Sequence, residues 1–188
     1  MSDLALELCR AAAGCDVGAL KRLLSSDVSP TEINNSRHVS RCPRIGFRKR
    51  FFATPLMHAL QMEACPWPSF ENQRVCVQLL LKHKANANDS AGALTGWPGP
   101  DPPESALFHV AKHGRQDLAD VLLQHGADPN AENCNYGLNA TDVVPVNSAC
   151  RDTLVKYHRQ QLADALSDCV LLCPNVTCIV IFYLIPIL

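Results

Sequence analysis

Ser105-Ala-Leu-Phe-His-Val-Ala-Lys-His-Gly114, followed after two residues by Asp117-Leu-Ala-Asp-Val-Leu-Leu-Gln-His-Gly-Ala-Asp-Pro-Asn130, decides the fold. Ser105 is a residue type that caps helix N-termini, because its hydroxyl accepts from backbone N–H groups that lack an intrahelical partner. Leu107, Val110 and Ala111 then recur on one helical face. Gly114 ends that helix in the left-handed conformation that glycine adopts cheaply. Leu118, Val121 and Leu122 repeat the spacing on a second helix, which Gly126 closes. Helix, tight turn, helix and polar loop make a unit that cannot bury its apolar face alone, so the pattern demands stacked neighbours.

This segment resembles the ankyrin repeat, whose usual pattern runs T-P-L-H-x-A-A-x-x-G and then V-x-x-L-L-x-x-G-A-D-x-N. Ser105, Leu107, Ala111, Gly114, Leu122, Leu123, Gly126, Ala127, Asp128 and Asn130 stand at matching places. Phe108 departs from the pattern, standing where the family usually has histidine. A second copy lies upstream. Ala53-Thr-Pro-Leu-Met-His-Ala-Leu60 resembles the first helix, and Val75-Cys-Val-Gln-Leu-Leu-Leu-Lys-His-Lys-Ala-Asn-Ala-Asn88 the second. Thr54 and Ser105 are 51 apart (105 − 54) where the repeat period is about 33. Two insertions account for the surplus: Met62 to Asn72 between the helices, and the Gly- and Pro-rich Asp89 to Glu104 before the next repeat.

The ends read as caps. Leu8, Ala12, Leu20, Leu23 and Leu24 give a degenerate first repeat, and Gly137 to Val144 with Cys150 to Leu166 a last one, whose second helix is long and polar. The resemblance therefore implies an all-α ankyrin-repeat solenoid of about four repeats, with long inter-repeat loops and an apolar C-terminal tail. Its expected parts are a degenerate repeat at 1–33, a basic loop at 34–52, repeats at 53–88 and 105–136 separated by the loop 89–104, a capping repeat at 137–168 and the tail at 169–188.

Composition agrees with a folded chain: 47% of the 188 residues are hydrophobic and 19% charged. A net charge of −1 gives no basic surplus for neutralising phosphates, so nucleic acid is not expected as a partner. Ten cysteines would suggest a disulfide framework in a secreted chain. Met1-Ser2-Asp3-Leu4 lacks a basic leader, and Glu7 and Arg10 interrupt the apolar stretch, so reduced thiols in a cytoplasmic protein are expected. Cys76 and Cys150 fall at apolar helical positions, as core thiols do.

Candidate sites are few. His109 and His113 are four apart on one helix, a spacing suited to metal, but no third ligand accompanies them, and no cofactor is expected. No phosphate loop, nucleophile elbow or carboxylate pair points to catalysis. The stretch from Arg37 to Arg50 carries Arg44, Arg48, Lys49 and Arg50 among its cations, with Phe47, Phe51 and Phe52 beside them. It reads either as a solvated loop or as a basic contact surface for a partner. Trp67 and Trp97, the two tryptophans, lie in the insertions and are candidate interface anchors. Asn34, Asn88, Asn139 and Asn175 begin Asn-x-Ser/Thr triplets, which carry no consequence in a cytoplasmic chain.

Residues 169–188 carry no charge, and twenty helical residues would span about 30 Å. Against a tail anchor stand Pro174, Asn175, Thr177 and Pro186; the run Ile179 to Ile185 suits a buried strand equally. The expectation is thus a non-catalytic module that binds a protein partner, with a tail-anchored membrane protein as the alternative. The alternative localisations are a membrane or the nucleus.

Overall fold

The computed structural model of the chain describes residues 3–35, 37–40, 50–60, 70–93, 101–131, 137–146 and 148–172. Helices α1 (Leu4–Ala13) and α2 (Val17–Leu24) form the first pair, followed by the single turn α3 (Pro30–Ile33). Strands β1 (Arg37–Ser40) and β2 (Arg50–Ala53) lead to the second pair, α4 (Pro55–Leu60) and α5 (Phe70–Lys82). Strands β3 (Ser90–Ala93) and β4 (Asp101–Ser105) then lead to α6 (Ala106–Lys112) and α7 (Gln116–Gln124). The described part closes with α8 (Ala140–Val143) and α9 (Ala149–Leu172).

The helices stack in two layers. In the first, termed the inner layer, α1 packs on α4, α4 on α6 and α6 on α8; in the second, the outer layer, α2 packs on α5, α5 on α7 and α7 on α9. Leu8, Leu20, Leu56, Leu60, Leu80, Leu107, Leu118, Leu122 and Leu154 are fully buried between them in one continuous core. Each such side chain contributes about 1.5–3 kcal/mol, so the core is held by many equal contributions along its length.

Local chemistry fixes where the helices begin. Asp16 accepts from the Ala19 amide at 2.9 Å, and Ser105 from that of Phe108 at 3.2 Å. Ser29 with Glu32, and Asn139 with Asp142, form reciprocal capping boxes on α3 and α8. The pair-closing turns share one bonding pattern. At α1–α2 the amides of Cys15 and Asp16 donate to the carbonyls of Ala12 and Ala11; at α6–α7 those of Gly114 and Arg115 donate to Ala111 and Val110. After α5 and α7, Lys84 and Ala85 donate to Leu81 and Leu80 as Gly126 and Ala127 do to Leu123 and Leu122. All four turns place one residue in the left-handed region: Cys15 at φ 48°, Gly114 at 65°, Lys84 at 68° and Gly126 at 84°. Two of the four are not glycine and carry the Cβ strain of that conformation.

Asparagines tie successive repeats together. Asn34 accepts from the Asn86 amide at 2.7 Å and donates to the Lys84 carbonyl at 3.2 Å. Asn88 does the same one repeat later, accepting from Asp128 at 2.7 Å and donating to Gly126 at 3.1 Å. The Asn-x-Ser/Thr reading of these residues misses this role, and Asn139 likewise works as a helix cap.

The structure departs from the expected boundaries in three places. The flanks of both inter-repeat loops are not loop but antiparallel ladders, Arg37 opposite Ala53 and Ser90 opposite Ser105, because a returning chain pairs its backbone groups where it can. Helix α5 begins at Phe70 rather than after Asn72. Helix α9 continues to Leu172, six residues past the expected end at Leu166 (172 − 166), so it takes in the first four tail residues. Among the described residues no helix is long and apolar enough to cross a membrane. Residues 173–188, including the run Ile179 to Ile185, lie outside the described residues.

Candidate interaction surface

The two hairpins stand side by side, β2 against β3, and each leads directly into an inner-layer helix, β2 into α4 and β4 into α6. They form two fingers rooted beside the inner layer. The root of the first is held by Thr54, whose hydroxyl donates to the Asp89 carboxylate at the start of the second finger. Burial pushes the Asp89 carboxyl above its usual range, against the hydroxyl and the Ser90 amide, which stabilise its charge. The Asp89 carbonyl also accepts from the Ala106 amide at 2.9 Å, closing the second finger onto α6.

Glu104, at the foot of that finger, reaches two residues of α6. Its carboxylate lies 3.0 Å from His109 Nδ1 and 3.0 Å from Lys112 Nζ. The hydrogen bond from His109 is the largest influence on Glu104 and, with Lys112, outweighs its burial, holding the carboxyl down at about 2. Lys112 is more than half exposed and His113 is exposed, while His109 is mostly covered, its ring edge-on to that of His113 at 4.9 Å. His109 Nδ1 is thus engaged with Glu104. The described residues hold no group of three or more histidine, cysteine or acidic side chains arranged for a metal ion.

On the turn between α6 and α7, Arg115 forms a second polar centre. Its guanidinium makes a two-pronged ion pair with Asp117 at 2.8 and 2.7 Å, donates to Gln73 at 2.9 Å and lies over the Phe70 ring at 4.4 Å. Gln73 in turn donates to the Ala59 carbonyl at the end of α4. The arrangement joins α4, α5 and α7 and leaves Phe70 56% exposed, so Arg115 acts as a structural bracket.

Of the residues singled out in the sequence, Arg50 is placed, in β2 opposite Ser40. Arg44, Arg48 and Lys49 belong to the connection 41–49 between β1 and β2, Trp67 to 61–69 between α4 and α5, and Trp97 to 94–100 between β3 and β4; all five lie outside the described residues. The Glu104–His109–Lys112 cluster and the Arg115 bracket escaped sequence reasoning. A signal existed for the first, since Glu104 precedes the capped helix and His109 and Lys112 are three apart on it. For Arg115 the sequence shows Asp117 two residues on, but gives no sign of Gln73, 42 positions away, or of the Phe70 ring.

Comparison with known proteins agrees with this architecture. Residues 104–134 match the family model described as ankyrin repeat. The crystal structure of the human ASB11 ankyrin repeat domain is similar over 80% of this chain, with a TM-score of 0.51 and 18% identity. The chain spans 52% of the length of that domain, and at this identity the likeness is one of fold. No curated protein matches the chain.

Proposed function

Because the chain is an ankyrin-repeat protein, and ankyrin repeats are generally protein–protein interaction modules, we propose that it is a non-catalytic adaptor or regulator holding one protein partner across its inner helices and two fingers. The observation that carries this reading is the surface at the second finger. There Glu104 fixes the finger to α6 and leaves Lys112 and His113 presented beside it on a rigid helix. A contact face held rigid before binding loses little conformational freedom when a partner docks. The cations Arg44, Arg48, Lys49 and Arg50 of the neighbouring first finger supply long-range attraction for an acidic partner, and Trp67 and Trp97 supply apolar anchors.

The test uses the full chain and a variant with Arg44, Arg48, Lys49 and Arg50 all changed to Ala. A partner captured by the full chain should bind the variant more weakly, and its affinity should lose most of its salt dependence, with the circular dichroism of both proteins the same. Equal affinity for both proteins at low and high salt would overturn the role of the first finger.

A further inference from the structure

Ser29-Pro30 and Thr54-Pro55 are the two places in the chain where a hydroxyl residue precedes proline, and the fold treats them differently. Thr54 is buried at the root of the first finger. Ser29 is half-buried, in a stretch where Ser25, Ser26, Asp27, Pro30 and Thr31 are exposed. Residues 25–29 belong to no helix or strand, and Ser29 is extended, at φ −69° and ψ 148°, as the following proline favours. Its hydroxyl also controls a joint. It donates to the Glu32 carboxylate at 3.0 Å, the Ser29 amide donates to the same oxygen at 3.1 Å, and the Glu32 amide donates back to the hydroxyl at 3.3 Å. This box holds the single turn α3, and α3 aims Asn34: the Pro30 carbonyl accepts from the Asn34 amide at 3.1 Å and from its side chain at 2.8 Å. Asn34 then clamps Lys84 and Asn86 of the second repeat.

We propose that Ser29 is a phosphorylation site for a proline-directed kinase, and that its phosphate opens the clamp between the first and second repeats. Such a kinase reads an extended chain and asks no N–H of the residue after the serine, which proline lacks. The Ser29 oxygen forms a bond to the γ-phosphorus of ATP as the bond from that phosphorus to the bridging oxygen breaks. ADP leaves, and the hydroxyl proton passes to the catalytic carboxylate of the kinase. The phosphate carries a charge of about −1.5 to −2 at neutral pH. It is attached to the atom 3.0 Å from the Glu32 carboxylate, in a stretch from Ser25 to Ser36 that has Asp27 and Glu32 but no Lys or Arg. A phosphate at the start of a long helix gains from the exposed amides there, but α3 is a single turn whose negative charge Glu32 already supplies. Repulsion therefore prevails. The Glu32 side chain leaves, the Ser29 amide loses its acceptor, the turn loosens and Asn34 no longer holds Asn86. Buried Ile33 keeps the segment on the core, so the change is confined to the joint.

Full-length protein is incubated with a purified mitogen-activated protein kinase and magnesium ATP, digested with trypsin and mapped by mass spectrometry. Ser29 falls in the peptide 23–37 and Thr54 in 51–74. One phosphate is expected on Ser29 and none on Thr54. In the phosphorylated protein the Asn86 amide should exchange at least ~5-fold faster, with Asp128 and the circular dichroism unchanged. Glu32→Gln separates repulsion from mere loss of the hydroxyl, because glutamine also completes a capping box but carries no charge. That variant should protect Asn86 before phosphorylation as the native chain does, and nearly as well after it. Absence of phosphate at Ser29 would overturn the site. Asn86 exchange unmoved by the phosphate, equal acceleration at Asp128, or equal acceleration in phosphorylated Glu32→Gln would overturn the release of the clamp.

Discussion

The second and third repeats reach the same geometry with different residues. Their outer helices superimpose in sequence at an offset of 42: Leu80 matches Leu122, Lys84 matches Gly126, Asn86 matches Asp128 and Cys76 matches Leu118. Both turns close with the same two backbone bonds, and both loops accept an asparagine clamp from the repeat before. Yet the ankyrin family model matches only residues 104–134. Stacking, not the sequence of any one unit, imposes the conformation; a repeat that drifts from the pattern keeps the shape and carries the strain. Lys84 at φ 68° is that strain made visible.

The largest test of the comparison is truncation of matching leucines. Leu80 and Leu122 are both fully buried, so Leu80→Ala and Leu122→Ala should each destabilise the chain by about 2–5 kcal/mol in urea denaturation. A negligible loss at Leu80 beside a large one at Leu122 would show that the second unit is not an equivalent repeat.

The next effect separates the two fingers. Glu104 titrates near 2 in the folded protein against an ordinary value of 4.5, so its ion pairs stabilise the fold fully above about pH 4.5 and lose that contribution as pH falls through 2. Allowing for solvent at a side chain 23% exposed, the contribution is about 1–3 kcal/mol at neutral pH. Glu104→Gln should remove it and flatten the pH dependence of stability between about pH 5 and 2. Asp117, held down chiefly by its hydrogen bonds from Arg115, adds acid sensitivity of the same sign, so the flattening is partial. An unchanged acid-unfolding curve would mean that the second finger is not anchored to α6 through Glu104.

Smaller effects probe the joints. Asn88→Ala removes the two hydrogen bonds of its clamp and Asn34→Ala the matching two plus one to the Pro30 carbonyl, all at exposed loops, so each should cost about 1 kcal/mol, with the larger loss at Asn34. Lys84→Gly should stabilise the chain by about 0.5–1 kcal/mol, because relief of Cβ strain exceeds the added freedom of the unfolded chain. A thermal melt lowered by that change would contradict the strain assigned to the second repeat.

These residues also show how far the sequence could be read. Ser105, Gly114 and Gly126 announce their roles as cap and turn residues, and the structure uses them as a cap and two left-handed turns. The leucine spacing around Leu118 and Leu122 likewise identifies the buried face. Cys15 and Lys84 announce nothing, since residue type alone gives no reason to expect φ above zero there; only the stack supplies it. The finger ladders were hidden in a basic stretch and a Gly- and Pro-rich one, whose compositions both read as loop, while their pairing is fixed by the helices at either end. The Glu104 cluster and the Asn34 clamp depend on contacts between separate elements, which periodicity along one element does not reveal. The expected finger cations and tryptophans fall, Arg50 apart, outside the described residues, so their part in binding rests on the capture experiment.

The claim that repeats two and three share one structure, each clamped in the same way to the repeat before it, is tested most directly by amide hydrogen exchange at Asn86 and Asp128. Both residues are exposed, and each amide donates at 2.7 Å to an asparagine side chain of the preceding repeat. In the intact chain both amides should exchange at least ~10-fold more slowly than open loop amides. Asn34→Ala should release Asn86 alone, and Asn88→Ala should release Asp128 alone. Unprotected exchange at either amide in the intact chain, or protection that survives loss of its asparagine, would contradict the account.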